Sequence, residues 1–268
     1  MHRVRVAVQL QPQHAEYAEI RRAVAAIEAM GVDVIYNWDH FFPLHGGIPD
    51  PNVGKHFECW TMLGAWAEAT ERISIGALVT CNSYRNPQLL ADMARTVDVM
   101  SGGRLILGIG AGWFEKDYDE YGYEFGTART RLRDLAGAMP LIKKRLAALD
   151  PPAVGPMPIL IGGGGEKVTL RIVAEHADIW HSFGDVAIFS HKTGVLDGHC
   201  EAIGRDPSEI RRSIGVGPTK IRTADALHAA GATEFTVGLT GPVYDLAPLS
   251  EWLAWRDDIN TATSSGAR

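Results

Sequence analysis

The sequence predicts an α/β protein, a closed (β/α)8 TIM barrel, and three observations carry that prediction. Eight short apolar runs alternate with eight helical patterns along the chain. The runs are apolar almost throughout, as strands covered on both faces are. Several of them end in glycine or in unusual polar residues, at the end where a barrel opens onto its ligand. A doubly wound open sheet also alternates strand and helix, but it more often has five to seven strands. The barrel accounts better for eight.

One stretch, Arg85 to Trp113, shows the repeating unit most clearly. Asn86-Pro87 is a helix start signal, since proline is pre-set for a first helical turn. Leu89, Leu90, Met93, Val97 and Met100 follow at spacings of three and four, an amphipathic helix. Ser101-Gly102-Gly103 stops it, because glycine takes the left-handed conformation a helix terminus needs. The run from Arg104 to Ile109 is a buried strand, and Gly110-Ala111-Gly112 lets backbone come close to a ligand at its tip.

The other elements follow in order. Val4, Val6, Val8 and Leu10 alternate with Arg3, Arg5, Ala7 and Gln9 in a first strand, and residues 14–30 form a helix closed by Gly31. Strands at 32–36 and 73–80 flank a glycine- and proline-rich excursion, 43–55, and a helix, 58–70. Beyond the central unit come a long helix (127–149), a strand (158–161) and a helix (166–176). Then follow a strand (178–181), a helix (186–203), a strand (210–216), a helix (223–230), a strand (234–237) and a last helix (246–259).

Composition narrows the function classes. The chain has 268 residues, 46% hydrophobic and 22% charged, the make-up of a globular domain with a large core. A net charge of −6 argues against nucleic acid, which needs a basic stripe. Cys59, Cys81 and Cys200 are odd in number and widely spaced, pointing to a reducing compartment and no cysteine metal site. His45 and His56 accompany His40 without a clean ligand pair, so no metal is expected. The opening MHRVRVAVQL is too short for a signal core, and no apolar run approaches the roughly 20 residues of a membrane helix. The expectation is one soluble, cytoplasmic domain over 1–260 and a disordered tail, 261–268.

Four loops at strand tips carry residues of chemical interest. Gly162-Gly163-Gly164-Gly165 before Glu166-Lys167 has the form of a phosphate cradle: glycines let N–H groups point at an anion, with Gly164 and Gly165 the best donors. Lys167 would add a countercharge. The plainer reading is a tight turn, although four glycines exceed what one turn needs. His40 stands at a strand end between Asp39 and two phenylalanines, a setting that tunes an imidazole for proton transfer, or that simply packs it. Cys81, in Thr80-Cys81-Asn82, has no basic neighbour in sequence to make a thiolate and suits a cavity wall. Trp113 offers either a flat face to a ligand or a cap on the core. Asp117, Tyr118 and Tyr121 read as loop scaffolding.

As a set in this order, RNP…DVMSGGRLILGIGAGW, with DHFFP before it and PILIGGGGEK after it, closely resembles the bacterial-luciferase-like flavin oxidoreductases. The closest likeness is to the branch that uses the deazaflavin coenzyme F420. It is dense from Gly31 to Phe183, includes HCEAIGRDPSEI, and thins toward the C-terminus. The resemblance implies a luciferase-like barrel holding F420 and moving hydride between the deazaflavin and a small organic substrate. Asp39 and His40 would lie beside the ring, His40 as proton donor or charge stabiliser. Thr80, Cys81, Gly110, Ala111, Gly112 and Trp113 would surround it, with a non-proline cis peptide within 77–80. Gly163, Gly164, Gly165, Glu166 and Lys167 would hold the phosphate. A homodimer is the implied assembly.

Three other readings compete. The sister branch uses FMN in luciferase-like monooxygenases. A non-catalytic flavin-binding barrel is suggested by a short link, DPPAVGPMP, where the family generally has a longer segment. A sugar-phosphate barrel would use the glycine loop for substrate.

Overall fold

Side chains alternate across a strand, and the computed structural model, which describes residues 2–265, sorts them into two layers. In β1 (Arg5–Leu10), Val6, Val8 and Leu10 join a large apolar layer shared with the helices. Ala7 belongs to a second cluster with Val34, Tyr36, Leu78, Ile106, Leu160 and Ile179. The first set faces outward under the helices, and the second fills the interior of a barrel.

The elements run α1 (Tyr17–Ala29), β2 (Val34–Asn37), α2 (Cys59–Ala69), β3 (Ser74–Ala77), β4 (Thr80–Cys81) and α3 (Pro87–Met100). They continue with β5 (Leu105–Gly110), α4 (Glu115–Tyr121), α5 (Ala128–Leu146), β6 (Ile159–Gly162), α6 (Thr169–His176), β7 (Ile179–Ser182) and α7 (Val186–Ala202). The last are β8 (Arg211–Val216), α8 (Ala224–Ala229), β9 (Glu234–Leu239) and α9 (Leu249–Ser265). Every strand pairing is parallel, in the order β3-β2-β1-β9-β8-β7-β6-β5-β4. β3 and β4 both pair with β5, Ile75 opposite Leu105 and Cys81 opposite Gly110, so they are two pieces of one barrel strand. The eight-stranded barrel therefore closes, as the sequence predicts.

The local signals act as expected in the central unit. The Asn86 side chain accepts from the N–H groups of Gln88 and Leu89, and Pro87 opens α3. Gly102 and Gly103 end it with φ of 64° and 88°. Arg104 then binds the strand's lower end, donating to the carbonyls of Ser101, Ala67, Thr70 and Ile73. The short link packs at that same end: Asp98 accepts from the N–H groups of Val154 and Gly155 at 2.7 and 3.0 Å.

Four expectations are corrected. The strand predicted over 73–80 is broken between β3 and β4, with a cis peptide at Leu78–Val79. A helix, α4, occupies 115–121, where the sequence suggested only loop. α6 begins at Thr169 rather than near Glu166, and a turn fills the gap. The tail expected from Thr261 is helical as far as Ser265; the rest of it, 266–268, lies outside the described residues. No helix among the described residues is long and apolar enough to cross a membrane.

Candidate active site

The carboxyl ends of the strands open into one cavity of about 470 Å3, in the range of small-molecule sites. Asp39 and His40 from the tip of β2 reach it, as do Cys81 from β4, Gly110 to Trp113 from β5 and Gly163 from β6. Residues far apart in sequence thus share one wall.

His40 is the best-positioned ionisable group in that wall. Its Nδ1 lies 2.7 Å from Asp117 Oδ2, and Asp117 is fully buried. The same carboxylate accepts from the Phe41 N–H and the Tyr84 hydroxyl, each at 3.0 Å. A carboxylate only accepts, so Nδ1 carries the hydrogen and Nε2 is left for a ligand. The edges of Trp38, Trp113 and Phe114 enclose the imidazole at 5.5–5.7 Å between ring centroids. Asp117 is the functional position that the sequence reading assigned to scaffolding. Its signal was local: acidic residues in a first turn, with Gly122 in the left-handed conformation just past Tyr121, delimit α4.

Asp39 lines the cavity, but its carboxylate is spent inside the protein. It forms a two-pronged pair with Arg85 and accepts the Cys81 N–H at 2.9 Å, tying the tips of β2 and β4 together. Cys81 does face the cavity. Burial pushes its thiol up from the ordinary value, and its sulfur lies 3.1 Å from the Tyr118 hydroxyl, so it is a neutral wall group. Gly112 is required there: its φ is 80°, and a Cβ would stand 2.0 Å from that hydroxyl.

Thr80, expected at the cofactor, faces away. Its hydroxyl accepts the indole N–H of Trp60, on α2, at 3.2 Å. Gly76 faces Tyr36 inside the barrel, so strict alternation would have turned Thr80 inward. Instead Leu78 and Val79 both meet the interior, a bulge that resets the phase and exchanges Thr80 for Cys81.

The glycine loop is split. Gly163 lines the cavity with φ of 124°, and its N–H is taken by the His181 carbonyl at 3.0 Å. Gly164, Gly165, Glu166 and Lys167 continue beyond the cavity wall, the last three exposed. Lys192, from α7, brings a second cation to the loop besides the exposed Lys167: a Cβ on Gly164 would lie 2.4 Å from its Nζ. Glu166 engages His191 at 3.3 Å. Sequence gave no hint of Lys192, since helix α7 returns to the loop only in three dimensions.

His56 has a structural post. Its Nε2 accepts the Trp38 indole N–H at 2.8 Å, and burial lowers its pKa to about 4, the neutral form that such an acceptor requires. Among the described residues, no three histidine, cysteine or acidic side chains are disposed to hold a metal.

A parallel barrel whose strand tips gather a fixed histidine, a glycine-lined wall and an apolar cavity defines a small-molecule enzyme architecture. The chain belongs to the luciferase-like monooxygenase family, which it matches over residues 1–260. It is similar in sequence to the phthiodiolone/phenolphthiodiolone dimycocerosates ketoreductase of Mycobacterium tuberculosis, 27% identical over 261 residues, spanning 84% of this chain and 68% of that protein. In fold it is similar to an F420-dependent secondary alcohol dehydrogenase solved with an F420–acetone adduct, with a TM-score of 0.79 at 14% identity. That likeness covers 88% of this chain and 93% of the other. A riboflavin lyase solved with modified FMN and riboflavin has a TM-score of 0.67 at 12% identity, covering 85% of this chain and 67% of that one.

Proposed function

We propose that this member of the family is an F420-dependent oxidoreductase that transfers hydride between the deazaflavin and a small organic substrate. The observation that carries the reading is His40, fixed by buried Asp117 in the wall of a cavity that glycine borders on another side. The residues present suit such a group. Gly110, Ala111 and Gly112 line a cavity that would take a flat ring, and the Lys192 ammonium packed against Gly164 would supply a countercharge for a phosphate. When bound, the deazaflavin supplies two-electron hydride chemistry. The chain's own part is to place it and to handle a proton. His40 Nε2 gives or takes the proton of a substrate oxygen, while Asp117 holds the ring and stabilises its charged form. Trp113, 63% exposed, stands at the mouth beside His40, where it covers a bound substrate.

The fold likeness to the F420-dependent alcohol dehydrogenase supports this choice over FMN, and the riboflavin lyase keeps FMN as the rival. Fluorescence titration of the purified chain with F420 and with FMN separates them. F420 is expected to bind more tightly. Tight FMN binding with none for F420 would replace the reading with an FMN-dependent monooxygenase, and binding of both without turnover on alcohols, aldehydes or enones would leave a non-catalytic barrel.

A further inference from the structure

We infer that His181 is a ligand-binding residue of this cavity: its Nε2 accepts a hydrogen bond from a hydroxyl on the chain that joins ring to phosphate in a bound flavin or deazaflavin. The inference rests on the reading above for the identity of the ligand, but its starting point is an unfilled acceptor.

His181 sits at the tip of β7, lines the cavity and is only 2% exposed. Its Nε2 is buried without a hydrogen-bond partner among the described residues. An orphaned polar atom of this kind costs free energy in the empty protein, and a ligand that supplies the missing partner recovers it. Nδ1 lies 2.8 Å from Ser213 Oγ, and the edge of Phe183 packs on the ring at 4.8 Å.

Those neighbours also set the polarity of Nε2. Ser213 helps hold the buried Glu234 carboxyl. Burial opposes the Glu234 charge, yet Arg5 and Arg211 outweigh it and keep the group below the ordinary carboxylate range. Ser213 Oγ also lies 3.3 Å from Thr236 Oγ1, so it has two other acceptors for its hydrogen and takes one from His181 Nδ1. That leaves Nε2 as a bare lone pair. Burial lowers the His181 pKa to about 4, so the ring stays neutral at neutral pH and Nε2 remains an acceptor.

An acceptor selects a donor. Phosphate oxygens accept, so His181 is mismatched to the phosphate itself. Its position names the group instead. His181 pairs with Gly162 across the sheet, and its carbonyl holds the Gly163 N–H, immediately before the cradle at Gly164. The hydroxyl-bearing linker is the part of a flavin covalently next to phosphate. Trp180, whose indole N–H donates to the Gly163 carbonyl at 2.8 Å, locks the two strand tips together.

The test titrates the full-length chain with F420, FMN and lumiflavin, which has the ring but no hydroxylated chain. His181→Phe, which keeps the shape and removes the acceptor, is expected to weaken whichever phosphorylated cofactor binds by roughly tenfold. It should leave lumiflavin unchanged, and His181→Gln, which restores an acceptor oxygen, should recover most of the loss. A wild-type measurement guards against a variant that fails to fold: the 15N signal of His181 Nε2 should move on adding the cofactor and stay still with lumiflavin. Wild-type protein that binds neither F420 nor FMN removes the flavin reading and this assignment with it. Cofactor binding that leaves the Nε2 signal unmoved, or that His181→Phe does not weaken, overturns this assignment alone. An equal loss for lumiflavin moves the contact to the ring and overturns it too.

Discussion

The two ends of the barrel put their buried polar groups to different uses. At the amino end, Glu234 is fully buried and both of its oxygens are used, one by Arg5 and one by the Tyr36 hydroxyl at 3.2 Å. Arg104 there spends its guanidinium on four backbone carbonyls and the Thr70 hydroxyl. At the carboxyl end, His181 Nε2 lacks a partner among the described residues, and Trp113 and Phe183 are each 63% exposed. At the amino end the polar groups tie one chain segment to another, although Arg5 Nε and Asp98 Oδ1 also lack partners among the described residues; what sets His181 apart is that it lines the cavity.

The sharpest way to break that contrast is at His40. His40→Ala should lower turnover of any accepted substrate by about 10²–10⁴-fold, the usual worth of a positioned proton-transfer group, while the urea midpoint stays close to wild type. A large drop in stability with intact turnover would make His40 a packing residue. Arg104→Ala is the mirror case. It should cost about 2–4 kcal/mol in urea unfolding, since it strips several carbonyls of their donor, yet leave the cofactor Kd unchanged. A weakened Kd with normal stability would show that the two ends are not separate in function.

Acid should affect the mouth in a smaller and graded way. His56 and His181 each titrate at about 4 in the folded protein because burial opposes their charge. Unfolded, both return to about 6.5, so between these values the unfolded chain binds more protons than the native one. Stability is therefore full above about pH 6.5 and falls as the pH drops toward 4, by at most about 1.4 kcal/mol per pH unit for each histidine. Urea midpoints at pH 7.5, 6 and 5 measure it; His56→Gln should flatten the slope, and a midpoint that rises in acid would contradict neutral burial.

The smallest effect separates two lysines. Lys192→Met should weaken the phosphorylated cofactor several-fold more than Lys167→Met, and the gap should narrow in high salt. Equal effects would return the countercharge to the glycine loop's own lysine.

The legible parts of the site were those carried by short-range patterns. Asp39, His40 and Gly110 to Trp113 all follow apolar strands, and all reach the cavity. Asp117 escaped because its helix is only seven residues long, with no apolar periodicity to announce it. Thr80 was misplaced because alternation along a strand is legible only while its phase is unbroken, and the bulge at Leu78 and Val79 breaks it.

By itself, the amino-acid sequence determined the alternation of strands and helices, the closed parallel barrel and the strand ends that carry chemistry. These depend on side-chain period, helix caps and glycine, which act over a few neighbouring residues. Only the tertiary structure decided that Asp117 holds His40, that Lys192 stands beside the glycine loop and that His181, a cavity-lining residue, has a buried Nε2 without a partner among the described residues. Each of those facts joins elements that meet only when the barrel closes, and no local pattern records a meeting of that kind.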